Sequence, residues 1–175
     1  IFEQILQGLN EIHETGYCHR DIKENNIFLD SNYNIKIGDF GYAAPRCGKY
    51  NIPKKRENGE KEGKLFSFLG TFGRLAPEVE KMNLGSNEGY SGKEVDIFNA
   101  GIILFIMLFQ IHPFERASEH DFHYKWVIKS RPDKFWESHE FKNHLKINEI
   151  SSACRELIYS MLIYDPNLRP SILEV

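Results

Sequence analysis

Residues 97–109 read IFNAGIILFIMLF, and a helix built from them has no polar face to turn toward water. The run falls about five residues short of a bilayer span, contains Asn99 and is preceded by Asp96. Such a helix has to be wrapped by the rest of the chain, so the other elements are expected to pack around it. With 175 residues, 41% of them hydrophobic, the chain can supply one core of that kind and is read as one domain or a large piece of one.

The wrapping elements announce themselves by period. Phe2, Ile5, Leu6, Leu9 and Ile12 recur at three- and four-residue steps ahead of Gly16, which predicts an amphipathic helix with a C-terminal stop. Ile27 and Leu29, then Ile35 and Ile37, alternate on either side of DSNYN and predict two short antiparallel strands. A turn is expected at His112-Pro113-Phe114, then two amphipathic stretches, one of them running from Ala153 to Leu162 until DPNLRPS breaks it. The stretch PRCGKYNIPKKRENGEKEGK, residues 45–64, is polar and basic and reads as a mobile loop. The fold class is α+β: a mostly helical body with one small β-hairpin near its start.

Composition excludes several roles. A formal net charge of −3 argues against non-specific nucleic-acid binding. The opening residues lack the basic-then-apolar order of a signal peptide, so neither secretion nor a membrane is expected. Three cysteines, Cys18, Cys47 and Cys154, lie far apart with no CxxC pair, as suits reduced thiols in the cytoplasm or nucleus. Nothing in the sequence sets an oligomeric state.

The chemistry is concentrated in YCHRDIKENNIFLD, residues 17–30. His19, Arg20 and Asp21 fall in the loop between the first helix and the hairpin, with Lys23 and Asn26 close behind. The hairpin should return Asp39-Phe40-Gly41 to the same loop, because a two-stranded return brings its ends together. Asp21, Lys23, Asn26 and Asp39 can then converge on one small volume. Two carboxylates, an ammonium and an amide carbonyl suit phosphoryl transfer: Asn26 and Asp39 offer hard oxygen ligands to Mg²⁺, Lys23 neutralises phosphate charge, and Asp21 can take a proton from an attacking hydroxyl.

The pattern H-R-D-x-K-x-x-N followed by D-F-G resembles the catalytic loop and metal-binding motif of the eukaryotic protein kinase family. Ala76-Pro77-Glu78 resembles the motif that closes the family's activation segment, here residues 39–78, and VDIFNAG resembles its central helix. The resemblance covers the whole chain but implies the C-lobe alone. It implies Asp21 as catalytic base, Lys23 as the γ-phosphate contact, Asn26 and Asp39 as metal ligands, and ATP and Mg²⁺ as cofactors. Lys23, two places after Asp21, and Thr71, expected to bond both Asp21 and Lys23, imply serine/threonine specificity toward protein substrates. Arg20 implies control by phosphate in the activation segment, with Ser67 as the acceptor and an upstream kinase as its donor. His19 and Phe40 are implied to stack, Asp96 to tie the catalytic loop to the central helix, and Glu78 to pair with Arg169. DSNYNIKIGDFGYA and the HPF turn look most like the calcium/calmodulin-dependent and AMP-activated branch.

The chain also departs from that family. It contains no G-x-G-x-x-G and no V-A-x-K, so a fragment is expected that lacks the N-lobe and the last C-terminal turns, with little activity by itself. The alternative to catalysis is a pseudokinase or truncated module that docks partners. Phe98 replaces a tryptophan, Arg74 stands where an aromatic is usual, and Asn25 where many basic-directed kinases carry glutamate. Elsewhere, ordinary readings prevail. His139 and His144 are spaced wrongly for a zinc helix, which needs a four-residue step; His120 and His123 could share a helical face; Lys54 to Arg56 read as a solvated loop; and Cys47 reads as inert.

Overall fold

A computed structural model describes residues 1–45, 64–143 and 146–175. Residues 46–63 of the basic loop expected across 45–64, with Cys47 and Lys54 to Arg56, lie outside the described residues, as does His144.

The apolar run forms the axis of the molecule. It extends to an 18-residue helix, α3 (Gly92–Phe109), in which every residue from Val95 to Phe105 is buried. In chain order the other helices are α1 (Phe2–Glu14), α2 (Pro77–Asn83), α4 (Lys125–Ile128), α5 (Pro132–Asn143) and α6 (Ser152–Met161). Two sides of α3 serve two clusters. Ile97, Ala100 and Ile103 pack with Ile5 and Leu9 of α1, Ile22 and Met161. Phe98, Ile102 and Phe105 pack with Phe114, Tyr124, Phe135 and Trp136. Burial of apolar area on both sides, at about 25 cal/mol per Å², is the main term holding the elements together. Among the described residues no helix is long and apolar enough to cross a membrane.

Local chemistry ends these elements where the residues dictate. The stripe Ile5, Leu9, His13 is the buried face of α1. Gly16 at φ +85 closes the helix with an N–H to His13 C=O bond of 3.1 Å, a conformation costly for a residue with a Cβ. The hairpin forms from β2 (Ile27–Leu29) and β3 (Ile35–Ile37), with Ile27 opposite Ile37 and Leu29 opposite Ile35. Its turn is built by Asp30, whose carboxylate accepts the N–H groups of Asn32 at 2.8 Å and Asn34 at 2.9 Å. A second short pair joins β1 (Tyr17–Cys18) to β4 (Ala44–Pro45). The Ser151 hydroxyl caps α6 by accepting from the Cys154 N–H.

One histidine expectation needs correcting. His120 and His123 precede α4 and share no helical face: His120 is exposed, while His123 is buried. The ring of His123 stacks on buried His139 at 4.0 Å, within the aromatic cluster of Phe105, Phe135 and Trp136. Flat imidazoles fill that cluster better than solvent would, which is why neither behaves as a surface residue.

Two contacts fix how the helices meet. A Cβ placed on Gly101 would lie 2.8 Å from Met161 Cβ, so α3 and α6 touch at a point that only hydrogen can occupy. Arg169 meets Glu78 through two bonds, 2.6 and 2.8 Å, donates also to the carbonyls of Ile163 and Glu94, and lies over the Phe98 ring at 4.8 Å. Both members of the pair are buried.

Gly101→Ala is expected to lower stability, because overpacking costs roughly 1–3 kcal/mol against the ~1 kcal/mol that alanine gains inside a helix. Urea unfolding checks the sign. Arg169→Ala should be worse, about 3–5 kcal/mol, since it leaves the Glu78 charge buried and unpaired; an unfolding midpoint unchanged in that variant would contradict the assignment.

Candidate active site

The loop from His19 to Asn26 is held from beneath by one carboxylate. Asp96, fully buried on α3, accepts the backbone N–H of His19 at 2.9 Å and of Arg20 at 2.7 Å. Its Oδ2 also meets His13 Nε2 of α1 at 2.7 Å. Arg20 adopts φ 67, the left-handed region, which costs a non-glycine residue on the order of 1 kcal/mol. The paired bonds to Asp96 outweigh that cost, since bonds to a charged group contribute roughly 1.5–3 kcal/mol each. His13 was not singled out from the sequence. The signal was available: it occupies an apolar position of the α1 stripe, where a polar side chain needs a partner.

Above that anchor, four polar side chains close on one another. Asp21 Oδ1 accepts the Thr71 hydroxyl at 2.6 Å, and Oδ2 accepts Lys23 Nζ at 2.7 Å. Lys23 Nζ also donates to Thr71 Oγ1 at 2.8 Å, which completes a triangle of ammonium, carboxylate and hydroxyl. Asn26 donates its amide N–H to the Asp21 carbonyl at 2.9 Å, so its side-chain carbonyl oxygen is the atom it can offer to a cation. Asp21 and Asn26 are buried while Lys23 keeps partial access, as a site that meets solvent on one side requires.

The hairpin brings the second carboxylate back. Gly38 donates to the Asn26 carbonyl at 2.9 Å, which sets Asp39 next to the end of the loop. Asp39 has φ 59, and its exposed carboxylate accepts the Gly41 N–H at 3.3 Å. Phe40 lies against the His19 ring at 5.0 Å. His19 accepts from the Asp21 N–H on Nδ1 at 3.3 Å and meets the Gly38 carbonyl through Nε2 at 3.0 Å, which assigns the ring proton to Nε2.

On the far side of the loop, the Arg20 guanidinium donates to the Tyr42 carbonyl at 2.6 Å, to Ser67 Oγ at 2.7 Å and to the Tyr90 hydroxyl at 3.3 Å. All three acceptors are neutral, although Arg20 is 5% exposed. Tyr90, whose hydroxyl also donates to the Ser67 carbonyl at 2.8 Å, is a second residue that sequence reading passed over. No local pattern marks it, because its partners come from other segments. Arg74 is likewise engaged by residues distant in the chain, Glu24 and His112.

Comparison with known proteins agrees with this geometry. The family model described as the protein kinase domain matches residues 1–175. The eIF-2-alpha kinase GCN2 of Rattus norvegicus is 35% identical across 100% of this chain, which spans 10% of that protein. CBL-interacting protein kinase 28 of Oryza sativa subsp. japonica is 30% identical over 98% of the chain and 33% of its own length. The liver/testis phosphorylase b kinase gamma catalytic chain of Rattus norvegicus is 31% identical over 97% of the chain and 36% of its own length. Relatives under several kinase names at similar identity support the calcium/calmodulin-dependent branch only weakly. With a catalytic-loop triangle, a returning hairpin carboxylate and a family match along its whole length, the chain belongs to the protein kinase domain family.

Proposed function

We propose that this chain carries the catalytic-loop half of a serine/threonine protein kinase, which moves the γ-phosphoryl group of Mg·ATP to Ser or Thr hydroxyls of proteins. The observation that carries the reading is the Asp21–Lys23–Thr71 triangle, in which each group constrains the other two. Asp21 takes the proton of the acceptor hydroxyl as that oxygen bonds to the γ-phosphorus. The bond from γ-phosphorus to the bridging oxygen of ADP breaks, and ADP leaves. Lys23 steadies the charge on the transferring group, and Thr71 keeps both side chains in register.

The exposed carboxylate of Asp39 and the carbonyl of Asn26 are hard oxygens suited to Mg²⁺. When bound, the ion offsets the charge of the phosphates. Asn26 and Asp39 would hold it, and the backbone bond from Gly38, the residue before Asp39, to the Asn26 carbonyl ties their two segments together. Cys18 is a buried thiol pushed up to about 12 by burial first and by Asp96 next, so it stays protonated and inert.

The same proposal includes control through Ser67. Among the described residues the acceptors of the buried Arg20 guanidinium are all neutral, and a phosphate on Ser67 would give it an anion through charge-assisted bonds. An upstream kinase would be its source.

In the full-length gene product, Asp21→Asn should lower kcat by roughly 10²–10⁴ with little change in the KM for ATP. A variant that keeps its rate rules out Asp21 as the base. Ser67→Ala should blunt activation by an upstream kinase, and mass spectrometry of the activated protein should locate phosphate on residue 67. Full activity in that variant, with no phosphate found, removes Ser67 from the mechanism.

A further inference from the structure

We infer that Arg74 and Glu24 form a positioning clamp, which locks the Thr71–Arg74 turn onto the catalytic loop and so governs how a protein substrate is presented to Asp21. The inference rests on the kinase reading above. Its structural part does not depend on activity.

The turn is gripped at both ends. Its backbone closes with the Arg74 N–H on the Thr71 carbonyl at 3.0 Å, and Gly73 inside it takes φ +81. At one end the Thr71 hydroxyl is bonded to Asp21 and Lys23. At the other, Arg74 Nη2 donates to Glu24 Oε1 at 2.7 Å, while Nη1 meets the second carboxylate oxygen, Oε2. Glu24 is the residue after Lys23. One short turn is therefore fastened to both ends of the stretch from Asp21 to Glu24, and neither fastening alone would fix its rotation.

Burial makes this pair more than a surface contact. The Arg74 side chain is 12% exposed and the Glu24 side chain 38%. Burial pushes the Glu24 carboxyl up, but its bond to Arg74 carries it below the ordinary carboxylate range, so it remains ionised. His112, from the turn after α3, lies with Nε2 3.2 Å from Arg74 Nη2. Burial first and the neighbouring Arg74 next push its imidazole down, which keeps it a neutral acceptor and not a competing cation. A planar guanidinium can serve a carboxylate and an imidazole at once, as an ammonium on a flexible stem cannot.

The link is directed at the groups of the transfer step and not at the cation ligands. The turn contacts Asp21, the proton acceptor of the proposed reaction, and Lys23, which meets the transferring group, whereas the cation ligands Asn26 and Asp39 are reached from the hairpin. Loosening the turn should misplace the protein substrate and leave ATP affinity alone.

The test compares Arg74→Ala, Glu24→Ala, the double variant and the milder Glu24→Gln in the full-length gene product. Each alanine variant should lose on the order of ten- to a hundredfold in kcat/KM for a peptide substrate, with KM for ATP within about twofold of the parent. The double variant should be no worse than either single, since both remove one interaction. Amide hydrogen exchange should quicken across residues 69–75. Additive losses, or a matching rise in the KM for ATP, would overturn the clamp. If the alanine variants do not fold, Glu24→Gln decides, by the same exchange and kinetic ratios. Should the parent protein phosphorylate nothing, the kinase reading falls, and exchange alone judges the clamp: unchanged protection of 69–75 in Arg74→Ala refutes it.

Discussion

A single buried carboxylate organises this molecule. Asp96 spends its oxygens on two consecutive backbone N–H groups of the catalytic loop and on His13, and it does so from the most enclosed helix of the fold. A charge in that position is tolerable only because it is surrounded by donors, and the donors belong to the loop that must be held still. Removing the carboxylate would leave two N–H groups facing an apolar interior while a left-handed Arg20 lost its compensation. Core and site are thus one construction: α3 supplies the enclosure, and the enclosure gives Asp96 its strength.

From that anchor the site rises in tiers. The first is backbone, fixed by Asp96. The second is the triangle of Asp21, Lys23 and Thr71, which joins residues about fifty positions apart in the chain. A third comprises the arginines that meet the catalytic loop and the segment before α2 from opposite sides, Arg20 toward Ser67 and Arg74 toward Glu24. The two differ in how their charge is met. Arg74 has a carboxylate; among the described residues Arg20 has only neutral oxygens. Hydrogen bonds to a charged group are the stronger kind, so the Arg74 fastening is the firmer of the two.

Local pattern revealed most of the architecture, for a plain reason. The α1 stripe, the Gly16 stop, the Asp30 turn and the apolar axis all depend on neighbours within a few residues, and short-range rules describe such neighbours. The spacing of His19, Asp21, Lys23 and Asn26 belongs to the same class, since one loop presents all four. Pairing across distance was legible only where the family resemblance carried it, as for Thr71 with Asp21 and Lys23 and for Glu78 with Arg169, and pairs outside those motifs were not. Glu24 with Arg74 and Tyr90 with Ser67 leave no periodicity, because each depends on where a separate turn comes to rest. His120 and His123 were misjudged for a related reason. Helical spacing says nothing about residues that precede the helix, and aromatic packing from α5 decided where the His123 ring went.

The hydrogen-only contact between Gly101 and Met161 works as a mechanical stop. A helix with two committed sides, touching its neighbour where no methyl fits, cannot slide or rotate by small steps. A change of volume on α3 therefore calls for a matching change on α6 or α1, whereas a change at residues 24, 74 or 112 acts on the site and leaves that axis as it is. The axle fixes how the chain folds, and the rim can be altered without retuning it.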